Sequence, residues 1–286
     1  MPSFDQAKSA AATLAVRDFF GQNLRLKHGA IGIGSGTTIR FVVEEIKNLA
    51  KTKRPELLTY HYIPTSFQSR NLIVDAGLLL SDLDQSPILD VAFDGADEID
   101  SRLNCIKGGG GAHLKEKVVA SAAEHFIVVA DFTKDSSQLG TSWIKGIPLE
   151  VLPMAHKNVC QALKSIGCKD PILRMGVNKA GPVITDSGNF IIDANFGPID
   201  DAVILNLQLK NIPGILETGL FLGMATRAYL GQEDKTVSVR GRQPLSPEVY
   251  KQYVTTLESK GILNLFATVD TLTSFRVESH DLTFGY

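Results

Sequence analysis

The sequence is poor in several features that would point to a narrow chemistry. It has three cysteines, Cys105, Cys160 and Cys168, an odd and scattered set with no CxxC pair. That argues against a disulfide framework and fits a reducing cytosol, with each thiol either a buried small hydrophobe or a reactive group. The six histidines (His28, His61, His113, His125, His156 and His280) show no HExxH or related spacing, so a zinc site is not expected. No run of about 18 apolar residues occurs, and no membrane span is expected. The start, Met1 to Lys8, lacks the basic and apolar order of a secretory signal. A net charge of −2 with mixed signs supplies no basic footprint for nucleic acid. It leaves room for a small anionic metabolite, which needs only a few local donors.

What the chain does contain is the composition of an ordinary globular protein, 44% hydrophobic and 21% charged over 286 residues. That length predicts one large domain with a smaller insertion, or two domains. Residues 5–20 carry apolar positions at helical spacing. Ala30 to Gly34 predicts a strand, followed by a helix through Phe41, Val42, Ile46 and Leu49. Leu57 to Ile63 predicts a second strand, and Pro64-Thr-Ser66 the cap of a helix reaching Ala76. Ile88 to Phe93 is a nearly continuous apolar strand ending on Asp94. Residues 112–124 predict a helix, and Phe126 to Ala130 a buried strand ending on Asp131. Strands this apolar, alternating with helices, imply a parallel sheet covered on both faces.

After about Pro148 the order changes. Pro148 to Leu152 predicts a strand, 155–166 a helix closed by Gly167, and Ile172 to Met175 a strand. Pro182 to Thr185 and Asn189 to Asp193 read as a hairpin around Asp186-Ser-Gly188, before a helix at about 199–210. This order implies a small α+β domain over 148–210, inserted into a larger α/β domain made of 1–147 and 211–241. Ile215 to Phe221 and Thr236 to Arg240 are expected to return to the large sheet. Ser246-Pro-Glu248 opens a helix running to about Lys260, within an extension over 242–286 that has no chemical motif.

Four segments carry candidate chemistry. Gly32-Ile-Gly-Ser35-Gly36-Thr37-Thr38 joins a strand to a helix, where glycines admit a ligand and free N–H groups favour an anion. It reads equally as a tight turn with a threonine cap. The spacing is not GxGxxG, the second strand ends without an acidic residue for a ribose, and neither GK[ST] nor GxSxG is present. A single phosphate fits better than a dinucleotide. Asp94-Gly95-Ala96-Asp97-Glu98 follows a buried strand, placing acids where α/β sheets open their crevice. They suit sugar hydroxyls, proton transfer or a hard cation, though no second acidic cluster completes a metal shell. Lys107-Gly108-Gly109-Gly110-Gly111 enters a helix, and ordering four glycines is costly unless the backbone has a task. Donor amides beside a lysine suit a forming oxyanion; a flexible loop is the other reading. Glu116, one turn into that helix, shares a stripe with Val119, Ala120 and Ala123, whose apolar company would raise its pKa toward that of a general base; taken alone it reads more readily as an ordinary solvated helix glutamate. Asp131-Phe-Thr-Lys134 lies at another strand end, and Lys134 is a candidate for phosphate or hydroxyl, with Lys8 a weaker one.

Together these are a phosphate cradle, two acids, a lysine beside a glycine loop and a glutamate base. They suit proton transfer between adjacent carbons of a sugar phosphate, with no cofactor or metal required.

GIGSGTT, FDGADEID, IKGGGGAHLKEK, VVADFTKDSSQLG and TDSGNFIID, in this order from about Gln6 to Gly231, resemble the ribose-5-phosphate isomerase A family. IPTSFQSRNLI and NKAGPV resemble its eukaryotic members. The resemblance implies interconversion of D-ribose 5-phosphate and D-ribulose 5-phosphate in the non-oxidative pentose phosphate pathway, in the cytoplasm, by a homodimer or homotetramer. It also implies a Rossmann-like large domain with a small α+β domain. On it, Ser35, Gly36, Thr37 and Thr38 bind phosphate; Asp94 through Asp97, Gly95 and Ala96 included, contact the sugar, and Asp94 assists ring opening and hydroxyl proton transfer. Lys107 stabilises the enediolate with the glycine-loop amides, Glu116 shuttles the proton, and Gly108, Gly109, Gly110 and Lys134 complete substrate binding. His113 is assigned no role. The same fold also serves a sugar-phosphate-sensing module or an amino-sugar-phosphate deaminase; the former would carry a DNA-binding helix and could dispense with Glu116.

Overall fold

Alternation of buried residues along each central strand decides how the layers stack. In the computed structural model, which describes residues 4–21, 26–242 and 255, the chain begins with helix α1 (Phe4–Phe20), strand β1 (Ala30–Ile33) and helix α2 (Ile39–Thr52). Strand β2 (His61–Pro64), helix α3 (Phe67–Ala76), and strands β3 (Leu79–Leu80) and β4 (Leu89–Asp94) follow. Next come β5 (Glu98–Ile99), β6 (Cys105–Ile106), α4 (His113–Ser121), β7 (Ala123–Asp131), β8 (Ile147–Val151) and α5 (His156–Ser165). The last are β9 (Asp170–Leu173), β10 (Phe190–Asn195), α6 (Ala202–Lys210), β11 (Ile215–Thr218), β12 (Leu220–Phe221), β13 (Arg227–Gly231) and β14 (Val237–Gly241).

A seven-stranded sheet in the order β14-β13-β7-β4-β1-β2-β3 forms the centre, parallel except for the edge strand β14. Ile31, Ile33, Val91, Phe93, Ile127 and Val129 face α1, α2 and α3 in one apolar cluster. Their neighbours Ala30, Ala92, Phe126, Val128 and Ala130 face Val119 and Ala120 of α4 with Phe221 in another. Burial on both faces is why the strands read as continuous apolar runs. The chain leaves β1 toward β2 on one side and returns to β4 on the other, so the sheet's switch point lies between β1 and β4. The carboxyl ends of those two strands open the crevice of such a sheet. A second sheet, β11-β8-β10-β9, packs against α5 and α6 around Leu149, Val159, Leu163, Ile192 and Leu209, and a three-stranded sheet joins β12, β6 and β5.

Five expectations are corrected. Pro55–Thr59 is a 3-10 turn that buries Leu57, so the second strand starts only at His61. The helix expected over 112–124 ends at Ser121, and Ala123 opens β7. Pro182 to Thr185 forms no strand: β10 pairs with β8 and β9, while Thr185 turns its hydroxyl to the buried Glu150 at 2.7 Å. Ile215 to Phe221 does not return to the large sheet; β11 pairs with β8, and β12 with β6. The boundary at 210/211 therefore cuts β11 from the smaller sheet to which its pairing assigns it. The return is made by β13, which runs parallel to β7 and which no local pattern marks. Of the extension expected over 242–286, with its helix from Ser246 to about Lys260, all but 242 and 255 lie outside the described residues.

Candidate active site

The carboxyl ends of β1, β4 and β7 deliver the polar residues to one cleft of about 630 Å³, a volume within the ordinary range for small-molecule sites. Asp94 ends β4 with its carboxylate turned beneath the β1–α2 turn. Its Oδ1 accepts the N–H groups of Ser35 (3.0 Å) and Gly95 (2.8 Å). Residue 34 must be glycine for this, because a Cβ there would stand 2.0 Å from Asp94 Oδ1.

Lys107 follows β6 and reaches back under Asp94. Its Nζ lies 2.9 Å from Asp94 Oδ2 and 3.2 Å from Glu116 Oε2, and donates to the carbonyl of Gly95 at 2.5 Å. All three charged side chains are buried, at 2% exposure for Asp94, 3% for Lys107 and 5% for Glu116. Phe221 backs the ammonium at 5.3 Å from its ring centre, a favourable cation–π distance. Both carboxylate oxygens facing Nζ are ion-paired to it yet receive no aligned hydrogen bond among the described residues. They retain lone pairs for a ligand's hydroxyls.

One ammonium between two buried carboxylates sets the protonation of the group. Burial pushes Glu116 up to about 8, Asp94's negative charge adds to the rise, and Lys107 opposes it. Burial also raises Asp94, against Lys107 and the two N–H donors. Burial disfavours the Lys107 ammonium, but Asp94 and Glu116 outweigh it and hold the lysine above its ordinary range. Asp94 has more donors than Glu116, and the two carboxylates titrate as a pair around the one ammonium.

The glycine loop runs from Lys107 into α4. Gly108 has φ +101°, and a Cβ there would meet Nδ1 of His113 at 2.6 Å, so any larger residue is excluded twice over. His113 is fully buried beneath the loop; burial, then Lys117 and Arg174, push its pKa down to about 3 and keep it neutral. Gly109 N–H donates to Asp97 Oδ2 at 2.7 Å. The amides of Gly108 and Gly110 meet no acceptor among the described residues, and both residues line the cleft.

At the other end, Ser35, Gly36, Thr37 and Thr38 line the cleft, but their donors are not equal. Ser35 spends its N–H on Asp94 and its hydroxyl on Ser66 (2.7 Å), while Gly36 N–H donates to Gln68 Oε1 at 2.8 Å. Thr38 begins α2 without a side-chain cap bond, which leaves the helix start available to an anion. Lys8 donates to Thr37 Oγ1 at 3.1 Å from α1, so this weaker candidate stands at the same end. Lys134 lines the wall in the 3-10 turn after β7.

Of the expected residues, Gly95, Ala96, Asp97, Lys107, Gly108, Gly110 and Glu116 also line the cleft. Asp94 and Gly109 are not among the lining residues, and the Gly109 amide is taken by Asp97. Asp131 and Thr133, from the expected strand-end segment, line the cavity, as do Gln68 and Thr185, which were not singled out. Gln68 lies in the first turn of α3 and Thr185 in the loop before β10, and the approach of both to the cleft depends on sheet order, which local pattern does not reveal.

Comparison with known proteins agrees with this geometry. Residues 61–235 match the family model of ribose 5-phosphate isomerase A (phosphoriboisomerase A). The chain is 50% identical over 240 residues to the ribose-5-phosphate isomerase of Dictyostelium discoideum, covering 83% of this chain and 99% of that protein. It is 48% identical over 240 residues to that of Homo sapiens, covering 84% of this chain and 75% of the human protein. A solved D-ribose-5-phosphate isomerase in complex with phospho-erythronic acid superposes with a TM-score of 0.76 at 36% identity, covering 84% of this chain and all (100%) of that one. Ribose 5-phosphate isomerase A from Methanocaldococcus jannaschii gives 0.74 at 38% identity, covering 84% and 100%. The family model spans more than half of the sequence and the relatives are about half identical over most of it, so the chain belongs to the ribose 5-phosphate isomerase A family.

Proposed function

We propose that the chain interconverts D-ribose 5-phosphate and D-ribulose 5-phosphate by moving one proton between C2 and C1 through an enediolate. The observation that carries this reading is Lys107 buried between Asp94 and Glu116, with the uncapped start of α2 in the same cleft. Phosphate sits at the α2 start with Thr37, Thr38 and Lys8, and Lys134 reaches it or a hydroxyl from the wall. That placement directs the aldehyde end toward Lys107.

Glu116 takes the proton from C2. The C–H pair becomes the C1–C2 double bond, and the carbonyl pair moves onto O1. Lys107 and the amides of Gly108 and Gly110 meet the charge forming there, in a buried site where such donors act strongly. Asp94 passes a proton from the O2 hydroxyl to O1, and Glu116 returns its proton to C1. No atom or electron is gained or lost, so the product is an isomer. Asp94, positioned against the same hydroxyls, also assists opening of the sugar ring. A base near pKa 8 is strong enough to take the carbon-bound proton and acidic enough to give it back.

Glu116→Gln should lower kcat for ketose formation from ribose 5-phosphate by about 10²–10⁴-fold with KM little changed, because general-base catalysis is lost and ground-state binding is not. A coupled assay of the purified variant measures this. Turnover close to that of the parent would remove Glu116 from the mechanism.

A further inference from the structure

Arg174 lies just past β9 in the smaller sheet, far in sequence from the catalytic group, and belongs to no motif with a chemical reading. Its backbone is fixed on both sides, the N–H donating to the Ile191 carbonyl (2.8 Å) and the carbonyl accepting from Val183 (2.9 Å). Its guanidinium is shared between two tasks. Nε and Nη2 donate to the two oxygens of Asp193 on β10, at 2.8 and 2.5 Å. Nη1 donates to the carbonyls of Gly108 (3.0 Å) and Gly109 (3.1 Å). Both side chains of the ion pair are largely covered, at 19% and 16% exposure.

We infer that Arg174, held by Asp193, is a positioning residue that fixes the peptide planes of the glycine loop so that the Gly110 amide faces the reacting oxygen. The argument rests on peptide geometry. In a trans peptide the C=O and the following N–H point in opposite directions. With the Gly108 carbonyl drawn to Arg174, the Gly109 N–H is turned the other way, and it is found on Asp97 at 2.7 Å. With the Gly109 carbonyl drawn to the same Nη1, the Gly110 N–H is turned away from the guanidinium, and Gly110 lines the cleft.

Four glycines in a row offer no side chain to hold these planes, and glycine moves between backbone regions at little cost. Within the loop the Gly111 N–H holds the Gly108 carbonyl at 2.9 Å, while the Gly109 carbonyl is clamped from outside, by Arg174. Asp193 makes it rigid: a bidentate carboxylate fixes the plane of the fork, leaving one nitrogen to serve both carbonyls. Lysine cannot reproduce this, having a charge without a fork. The smaller sheet thus supplies both halves of the clamp, Asp193 from β10 and Arg174 from the residue that follows β9.

This inference rests on the reading of the glycine loop as the oxyanion site. The experiment uses the full chain with Arg174→Lys, Arg174→Ala and Asp193→Asn, and Lys107→Met as the reference for the oxyanion reading. Steady-state kinetics are measured with ribose 5-phosphate. Inhibition is measured with 4-phosphoerythronate, whose carboxylate presents the charge of the enediolate, and with inorganic phosphate. Misplaced catalytic donors cost about 10²-fold, so both Arg174 variants should lose about that factor in kcat and in 4-phosphoerythronate affinity. KM and phosphate inhibition should change by less than about threefold, since uniform binding is untouched. Asp193→Asn should fall in the same direction.

If Arg174→Lys keeps parental kcat, the fork geometry is irrelevant and the inference is overturned. If phosphate and 4-phosphoerythronate weaken together, Arg174 holds the whole cleft and not the loop, which overturns it too. If Lys107→Met leaves the affinity for 4-phosphoerythronate unchanged, the oxyanion reading itself fails and takes the inference with it. Loss in Lys107→Met with none in the Arg174 variants overturns the clamp alone.

Discussion

Lys107 acts by being insufficient. One ammonium stands within 3.2 Å of two buried carboxylates and cannot offset the burial of both, so the pKa of each is raised. Asp94 has the Ser35 and Gly95 amides as further donors, and Glu116, beside Asp94's negative charge, is pushed up to about 8. The sign of one substitution can be worked out from this. Glu116's rise comes first from burial and next from Asp94's negative charge. Asp94→Asn removes the second contribution and should move the acid limb of kcat/KM down from about 8 by roughly a unit or more, while lowering the plateau because the hydroxyl proton loses its carrier. A pH–rate profile of parent and variant checks both. A limb that stays in place would belong to a group other than Glu116.

At the scale of elements, the site depends on how α3 is started. Ser66 accepts the Ser69 N–H (3.1 Å) while Ser69 Oγ accepts that of Ser66 (3.0 Å), a reciprocal capping box. The same Ser66 oxygen takes the Ser35 hydroxyl, so the cap of one helix also steadies the turn that opens α2. Ser66→Ala should cost about 1 kcal/mol in stability, and should raise KM with kcat nearly kept, because it loosens the phosphate end and not the reacting carbons. Thermal melts and steady-state kinetics separate the two effects; a fall in kcat alone would contradict it. This cap was legible in the sequence, as Pro64-Thr-Ser66 before an apolar-periodic run. So were β1, β4 and β7, because burial on both faces leaves a short unbroken apolar run, here alternating with helical segments. Asp94, Lys107 and Glu116 were legible because their types and spacing are local. Arg174 was not, since what gives it meaning is the pairing of β9 with β10 and the approach of that pair to the glycine loop. The strand expected over Leu57 to Ile63 failed for a related reason: an apolar run is compatible with a turn that buries one leucine, and only packing under α2 decides.

For the whole molecule, the buried group of Asp94, Lys107 and Glu116 is a local concession in stability. Glu116 in the fold titrates at about 8 against 4.5 as its ordinary value. Below about pH 4.5 both the folded and unfolded chains hold its proton, and burial of the neutral acid is free of the charge penalty. As pH rises from there through 8, the unfolded chain has released the proton while the fold still retains it or carries a buried anion. Stability from this group is therefore present at low pH, is lost across that window, and is fully lost above it. Glu116→Gln has no proton to release, and Lys107 keeps Asp94 at 2.9 Å, so the substitution leaves no unpaired buried cation. The variant should melt at nearly the parent's temperature at about pH 5 and increasingly above it toward about pH 8.5, with each ~1 kcal/mol relieved worth about 2–4 °C in a chain of this size. Melts of both proteins at matched ionic strength across that range measure the gap. A gap that stays constant or shrinks with pH would mean that Glu116 is ionised without penalty in the fold, and the base would then lack the raised pKa on which its part in the proton transfer depends.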